Sequence, residues 1–210
     1  MKLYTYNRAP NPRRLNLYIA YKGLTIPTQQ VDLQQQQARS PAYLSRNPRG
    51  VVPALELEDG SILNDALAIA LYLEAVFPHK PLFGDDGLER ARIISWDQYL
   101  FTDGFGAVAE ILRNGNPAFA NRPLPGPLDL PQIPALVERG KLRLGGFFDY
   151  VDSQLKGREY LVGNALSWAD ICLLVTVDFA GWVKIGIPER CEDLRAWYKH
   201  VQTELAPLEQ

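Results

Sequence analysis

The chain has 210 residues, 47% hydrophobic and 22% charged, the balance of a folded globular protein and not of a disordered one. Twenty-two Lys and Arg against twenty-four Asp and Glu leave a net charge of −2, without the basic excess that a nucleic-acid binder sets against phosphate. Two cysteines and two histidines exclude a disulfide framework and, lacking ligand-spaced partners, give no metal cluster. The start shows no signal-like apolar run, and the longest apolar stretch is too short to span a bilayer and carries Asp178. The sequence therefore reads as cytoplasmic, with no membrane partner.

In chain order, Lys2–Tyr6 reads as a short strand ended by the turn-rich Asn7–Pro12. Leu15, Tyr18 and Ile19 fall at helical spacing from Pro12 to Lys22, with Pro12 allowed at the first helical position and Gly23 as the stop. Thr28–Leu33 is a second strand, and Gln34–Gln37 a polar loop. Leu55 and Leu57 alternate with Glu56 and Glu58 in a half-buried strand, and Asp59-Gly60 signals a two-residue hairpin that returns through Ser61–Leu63. Asp65–Phe77 is helical and closed by Pro78. The order is β-α-β-α-β-β-α over residues 1–77, with residues 78–87 as a Pro- and Gly-rich linker. Beyond it the strand signals vanish. Residues 88–210 read as a helical domain with helices at Leu88–Arg113, Pro134–Gly157, Ser167–Val183 and Glu192–Glu204. Between the first two, Asn114–Pro134 holds six prolines, which forbid regular structure; a loop that long is usually functional or mobile.

Ser167-Trp168-Ala169-Asp170 resembles a capping box, with Leu166 and Ile171 at the hydrophobic-staple positions, so Asp170 reads as structural. Cys172 sits in an apolar helical run and reads as core; Cys191 is a lone thiol without an activating partner. Trp96, Tyr99, Phe101 and Phe105 are core or interface residues first, and candidate walls of an apolar pocket second.

This layout, with APNPRRL at Ala9–Leu15, NPRGVVPALEL at Asn47–Leu57, DALAIALYLE at Asp65–Glu74 and SWADI at Ser167–Ile171, resembles the cytosolic glutathione transferase superfamily, in its bacterial-type members, over essentially the whole chain. The resemblance implies an α/β plus all-α fold: a thioredoxin-like domain that binds glutathione, then an all-helical domain holding the second substrate, in a homodimer.

It also implies roles for particular residues. Val52-Pro53 stands where the family has a cis peptide, which turns the Val52 backbone outward to pair with an extended peptide. Asp65 and Ala66 stand where the family places an acid for the glutamyl ammonium and a hydroxyl for the glutamyl carboxylate at a helix N-terminus; Ala66 lacks the hydroxyl. Val51 replaces the polar residue that usually reaches the glycyl carboxylate, leaving Arg39 or Arg49 to take that group. The thiol, with a pKa near 8.5 when free, must ionise to attack. Ala9 replaces the hydroxyl residue of similar bacterial members, so Asn11 is the candidate thiolate partner. It doubles as N-cap of a helix opening at Pro12, accepting the Arg14 backbone N–H. Tyr6 is a poorer match. The implied activity is conjugation of the glutathione thiolate to a small apolar electrophile. A non-catalytic glutathione-transferase-like binding protein, suggested by Ala9, Val51 and Ala66, and a glutathione-dependent reductase or ether-cleaving enzyme on the same scaffold are the alternatives.

Overall fold

The computed structural model describes residues 1–208. They form two compact units, one of Met1–Lys80 with Leu124–Leu130, the other of Pro81–Pro123 with the described residues from Pro131.

In the first unit four strands, β1 (Lys2–Thr5), β2 (Thr28–Gln30), β3 (Ala54–Glu56) and β4 (Ile62–Asn64), form a sheet in the order β2-β1-β3-β4. Helix α1 (Pro10–Tyr21) is the crossover that lets β2 run parallel to β1. The second crossover helix shrinks to the single turn α2 (Pro41–Leu44), capped where the Ser40 hydroxyl accepts the Tyr43 N–H. Strands β3 and β4 are antiparallel, and α3 (Ala66–Val76) follows directly. Register sorts the side chains: Leu3 opposes Leu55 on one buried face, while Tyr4 opposes Ala54 and joins Val31, Ala38, Tyr43 and Val52 on the other.

Two expectations shift. The second strand stops at Gln30, because its residues are all exposed and Val31 turns into the core. The hairpin is longer than two residues: Leu57 N–H bonds Ser61 C=O and Gly60 N–H bonds Leu57 C=O, with Asp59 accepting the Ser61 N–H and hydroxyl. Helices α1 and α3 are joined inside the unit by Glu74, whose carboxylate accepts from Tyr18 Oη at 2.6 Å and from the buried Lys22 Nζ at 2.7 Å. Burial and that hydrogen bond hold the Tyr18 hydroxyl well above its ordinary pKa.

The second unit holds α4 (Gly87–Tyr99), α5 (Gly106–Gly115), α6 (Ala135–Leu155), α7 (Trp168–Trp182) and α8 (Glu192–Leu205). The single long helix expected over 88–113 is interrupted by a π-helical segment, Leu100–Phe105. Its cause is close packing. A Cβ on Gly104 would sit 2.5 Å from the Phe147 ring and 2.8 Å from Thr176, and the Thr102 carbonyl of the wider turn is taken by Arg143 at 2.6 Å. Helix α7 is buried without a break from Trp168 to Val177, as befits a helix apolar on all sides. Asp97 of α4 accepts from Trp168 Nε1 at 2.8 Å and from Cys172 Sγ at 3.2 Å.

Asp170 is the polar staple of this unit. One oxygen accepts the Ser167 N–H at 3.0 Å and hydroxyl at 2.6 Å; the other accepts the Leu161 N–H at 2.9 Å and Trp197 Nε1 at 3.0 Å. Burial pushes its carboxyl above the usual carboxylate range, against the pull of these donors. Asp170→Ala orphans four buried donors at about 1–3 kcal/mol each, so it should lower stability by about 3 kcal/mol or more. Asp170→Asn, which keeps one carbonyl, should cost less. Urea unfolding checks this as a lower midpoint at unchanged m-value.

Candidate functional site

Register brings three strand ends together. Tyr4 opposes Ala54 and Ala54 opposes Asn64, so the end of β1, the start of β3 and the end of β4 lie side by side. From that end of the sheet emerge the opening of α1, the Val52-Pro53 bond and the opening of α3.

The Val52-Pro53 bond is cis. Its approach is held by Asn47, only 1% exposed, whose amide donates to the Val51 carbonyl at 2.9 Å and to Asn64 Oδ1 at 2.8 Å. Tyr43 Oη adds a second bond to the Val51 carbonyl at 2.8 Å; burial raises the Tyr43 pKa and keeps it a donor. Val51 therefore faces inward through its carbonyl. Among the described residues the Val52 N–H and C=O make no hydrogen bond.

Asp65 precedes α3 at φ +72° and ψ 131°, a conformation that costs a non-glycine residue about 1–3 kcal/mol. It does not cap its own helix. Its carboxylate instead takes Arg49, with contacts of 2.7 and 3.5 Å. The first turn, opened by the fully buried Ala66, thus keeps its N–H groups for another acceptor.

At α1 the structure corrects the expected cap. The helix opens two residues early, with Ala9 as N-cap, Pro10 first and Asn11 second. Both prolines fit a first turn because the N–H they lack has no partner there. Asn11 therefore does not accept the Arg14 backbone N–H. Its Oδ1 takes the Arg14 guanidinium, Nε at 3.2 Å and Nη2 at 2.7 Å, which directs the amide NH₂ the other way. Since Pro10 and Pro12 bring no N–H, Asn11 supplies the one donor among the first three helical residues. Tyr6 packs against the Tyr4 cluster.

Arg39 and Arg49 both have protein partners. Arg49 holds Asp65; Arg39 Nη2 donates to the Pro127 carbonyl and to Asp129 Oδ1, each at 2.6 Å. Residues 124–130, expected in the helical domain, thereby belong to the first unit.

Comparison with known proteins meets this geometry. The models for the glutathione S-transferase N-terminal and C-terminal domains match residues 9–76 and 129–204. Glutathione S-transferase 2 of Saccharomyces cerevisiae is 31% identical over 207 residues, covering 96% of this chain and 85% of that one. The chain belongs to the glutathione S-transferase family. The crystal structure of Gtt2 from Saccharomyces cerevisiae superposes at a TM-score of 0.88, with 29% identity over 99% of this chain and all of that one. Maleylacetoacetate isomerase of Pseudomonas aeruginosa is 43% identical over 94 residues, 44% of each chain.

For a family member, the residues that sequence reasoning missed are those that hold the site's backbone. Asn47 lay within the NPRGVVPALEL segment but carried no assigned role, and neither Tyr43 nor Asn64 stood out. Their bonds span up to 17 residues, and no local pattern marks them. The cysteines lie outside this constellation. Cys172 is buried against Asp97. Burial, with Asp152 and Asp149 alongside, pushes the Cys191 thiol up, away from the thiolate. A thiol reagent at pH 7.5 should label neither cysteine in the native protein and both after unfolding, as mass spectrometry would count. No group of three or more metal-ligating side chains occurs among the described residues, and none of their helices is long and apolar enough to cross a membrane.

Proposed function

We propose that this family member binds glutathione on its first unit and joins the thiolate to a small apolar electrophile. The observation that carries the reading is the meeting, at one sheet end, of the unbonded Val52 backbone, the uncapped N-terminus of α3 and the Asn11 amide. An extended peptide pairs with Val52 as an added strand. Its glutamyl carboxylate faces the α3 N–H groups, and Asp65 exchanges Arg49 for the glutamyl ammonium. Arg39 serves the glycyl carboxylate. The thiol gives its proton to water, the Asn11 amide hydrogen-bonds the resulting thiolate, and a sulfur–carbon bond forms as the electrophile's leaving group departs. The assembly is a cytoplasmic homodimer, which light scattering tests.

The identity to maleylacetoacetate isomerase favours a second reading, glutathione-dependent isomerisation. Stoichiometry separates the two: a transferase consumes one glutathione per turnover, an isomerase none. Titration calorimetry with glutathione, followed by conjugation of chlorodinitrobenzene, tests the first reading. Binding without turnover favours a binding protein.

Ala66→Ser adds a hydroxyl at the α3 N-terminus. A hydrogen bond to a charged group is worth about 1.5–3 kcal/mol, so glutathione should bind several-fold to about a hundredfold more tightly. Asp65→Asn should weaken binding. Calorimetry on both variants decides; unchanged affinities overturn the placement of the glutamyl group.

Asn11→Ala should raise the pKa of the bound thiol towards the free value of about 8.5 and lower kcat most at acidic pH, where the thiolate is scarce. Asn11→Ser, which restores a donor, should recover part of the effect. Thiolate absorbance against pH provides the readout.

A further inference from the structure

Residues 124–130 leave the helical unit and press on the glutathione-binding one. Their backbone touches the loop that leads to the cis peptide: a Cβ on Gly126 would lie 3.2 Å from the Arg49 carbonyl, and one on Gly50 would lie 3.6 Å from the Gly126 Cα. Both glycines have positive φ, +100° and +61°, so the contact is built on backbone that only glycine adopts readily. A Cβ on Gly50 would also lie 3.1 Å from the Ala38 carbonyl, next to Arg39, and Ala38 packs in one cluster with Val52. Arg39 and this strap therefore flank the peptide-binding edge.

Little holds the strap down. Among the described residues, the two bonds from Arg39 are the only hydrogen bonds made by residues 124–130. Leu124 and Leu128 are exposed and give it little apolar anchorage. The prolines at 123, 125, 127 and 131 keep the segment stiff, so it can lift as a piece. The latch is also asymmetric. The Arg39 side chain is 22% exposed and fixed against its unit, whereas that of Asp129 is 75% exposed. A solvated carboxylate on a largely covered guanidinium is readily replaced by another carboxylate, since an ion pair with one exposed partner shifts an equilibrium only about two- to fivefold.

We propose that Asp129 is an internal stand-in for the glycyl carboxylate of glutathione: it occupies Arg39 in the free protein, and the ligand displaces it and releases the strap. The proposal rests on the reading that the first unit binds glutathione, and adds a competitor within the chain. Binding is then weakened by the latch, and residues 124–130 change exposure with ligand.

Calorimetry on the full chain tests it, with glutathione and with its glycyl monoethyl ester as probes. Asp129→Asn should bind glutathione about two- to fivefold more tightly than wild type. The ester, which has no glycyl carboxylate to compete, should bind both proteins equally. Arg39→Gln should weaken glutathione binding and erase the effect of Asp129→Asn. A fluorophore attached at the exposed position 128 through Leu128→Cys should change its emission when glutathione is added to the latched protein, and should already show the released signal without ligand when Asp129→Asn is added. If both proteins bind glutathione equally well, or if the ester gains as much as glutathione, Asp129 is not a competitor and the proposal falls. If neither protein binds glutathione, the reading of the first unit falls first and the latch falls with it.

Discussion

The bonds of the buried Asn47 carboxamide are those on which the end of the sheet that carries the candidate site depends. Its NH₂ reaches the Val51 carbonyl and the Asn64 side chain together, so the approach to Val52-Pro53 and the approach to α3 cannot move apart without orphaning a buried donor. Tyr43 reinforces the same carbonyl from α2. With the Val51 carbonyl bonded inward, the next residue keeps its backbone N–H and C=O without a partner among the described residues. With Asn64 fixed, the strained Asp65 begins the helix without capping it. The unbonded Val52 backbone and the uncapped start of α3 are two outcomes of one constraint.

Each unit repeats this logic in its core. Glu74 collects Tyr18 and Lys22 between α1 and α3; Asp170 collects two backbone and two side-chain donors around the start of α7. A carboxylate largely withdrawn from water, as Glu74 is, or fully buried, as Asp170 is, needs its bonds made, so these residues tie together the helices around them and tolerate little change. Of the ion pairs nearer the candidate site, Arg49 with Asp65 is exposed on both sides and Arg39 with Asp129 on the carboxylate side, and such pairs contribute little to stability.

The opening of α1 shows how departures from a family pattern compound. Ala9 brings no hydroxyl, and Pro10 and Pro12 bring no N–H, so the donors at this helix start are reduced to the Asn11 N–H and carboxamide. The Arg14 guanidinium on Asn11 Oδ1 polarises that amide and settles which end of it faces outward.

The sequence by itself determined the order of elements, the α/β unit followed by helices, and the segments that carry the family likeness, because periodicity, turn chemistry and Pro/Gly punctuation are local signals. The capping box at Ser167 was legible for the same reason: both partners lie within one turn. Helix ends were less so. Two prolines two residues apart each suit a first turn, and local rules could not say that Pro10, not Pro12, begins α1 and deprives Asn11 of the cap. Only the tertiary structure decided the partners of the charged residues. Arg39 and Asp129 lie 90 residues apart, Arg49 and Asp65 lie 16 apart, and the Gly104 contact that opens the π segment comes from α6 and α7. Such pairings depend on where folding brings distant chain segments, and a side chain's charge reveals its chemistry while leaving open which opposite charge reaches it first.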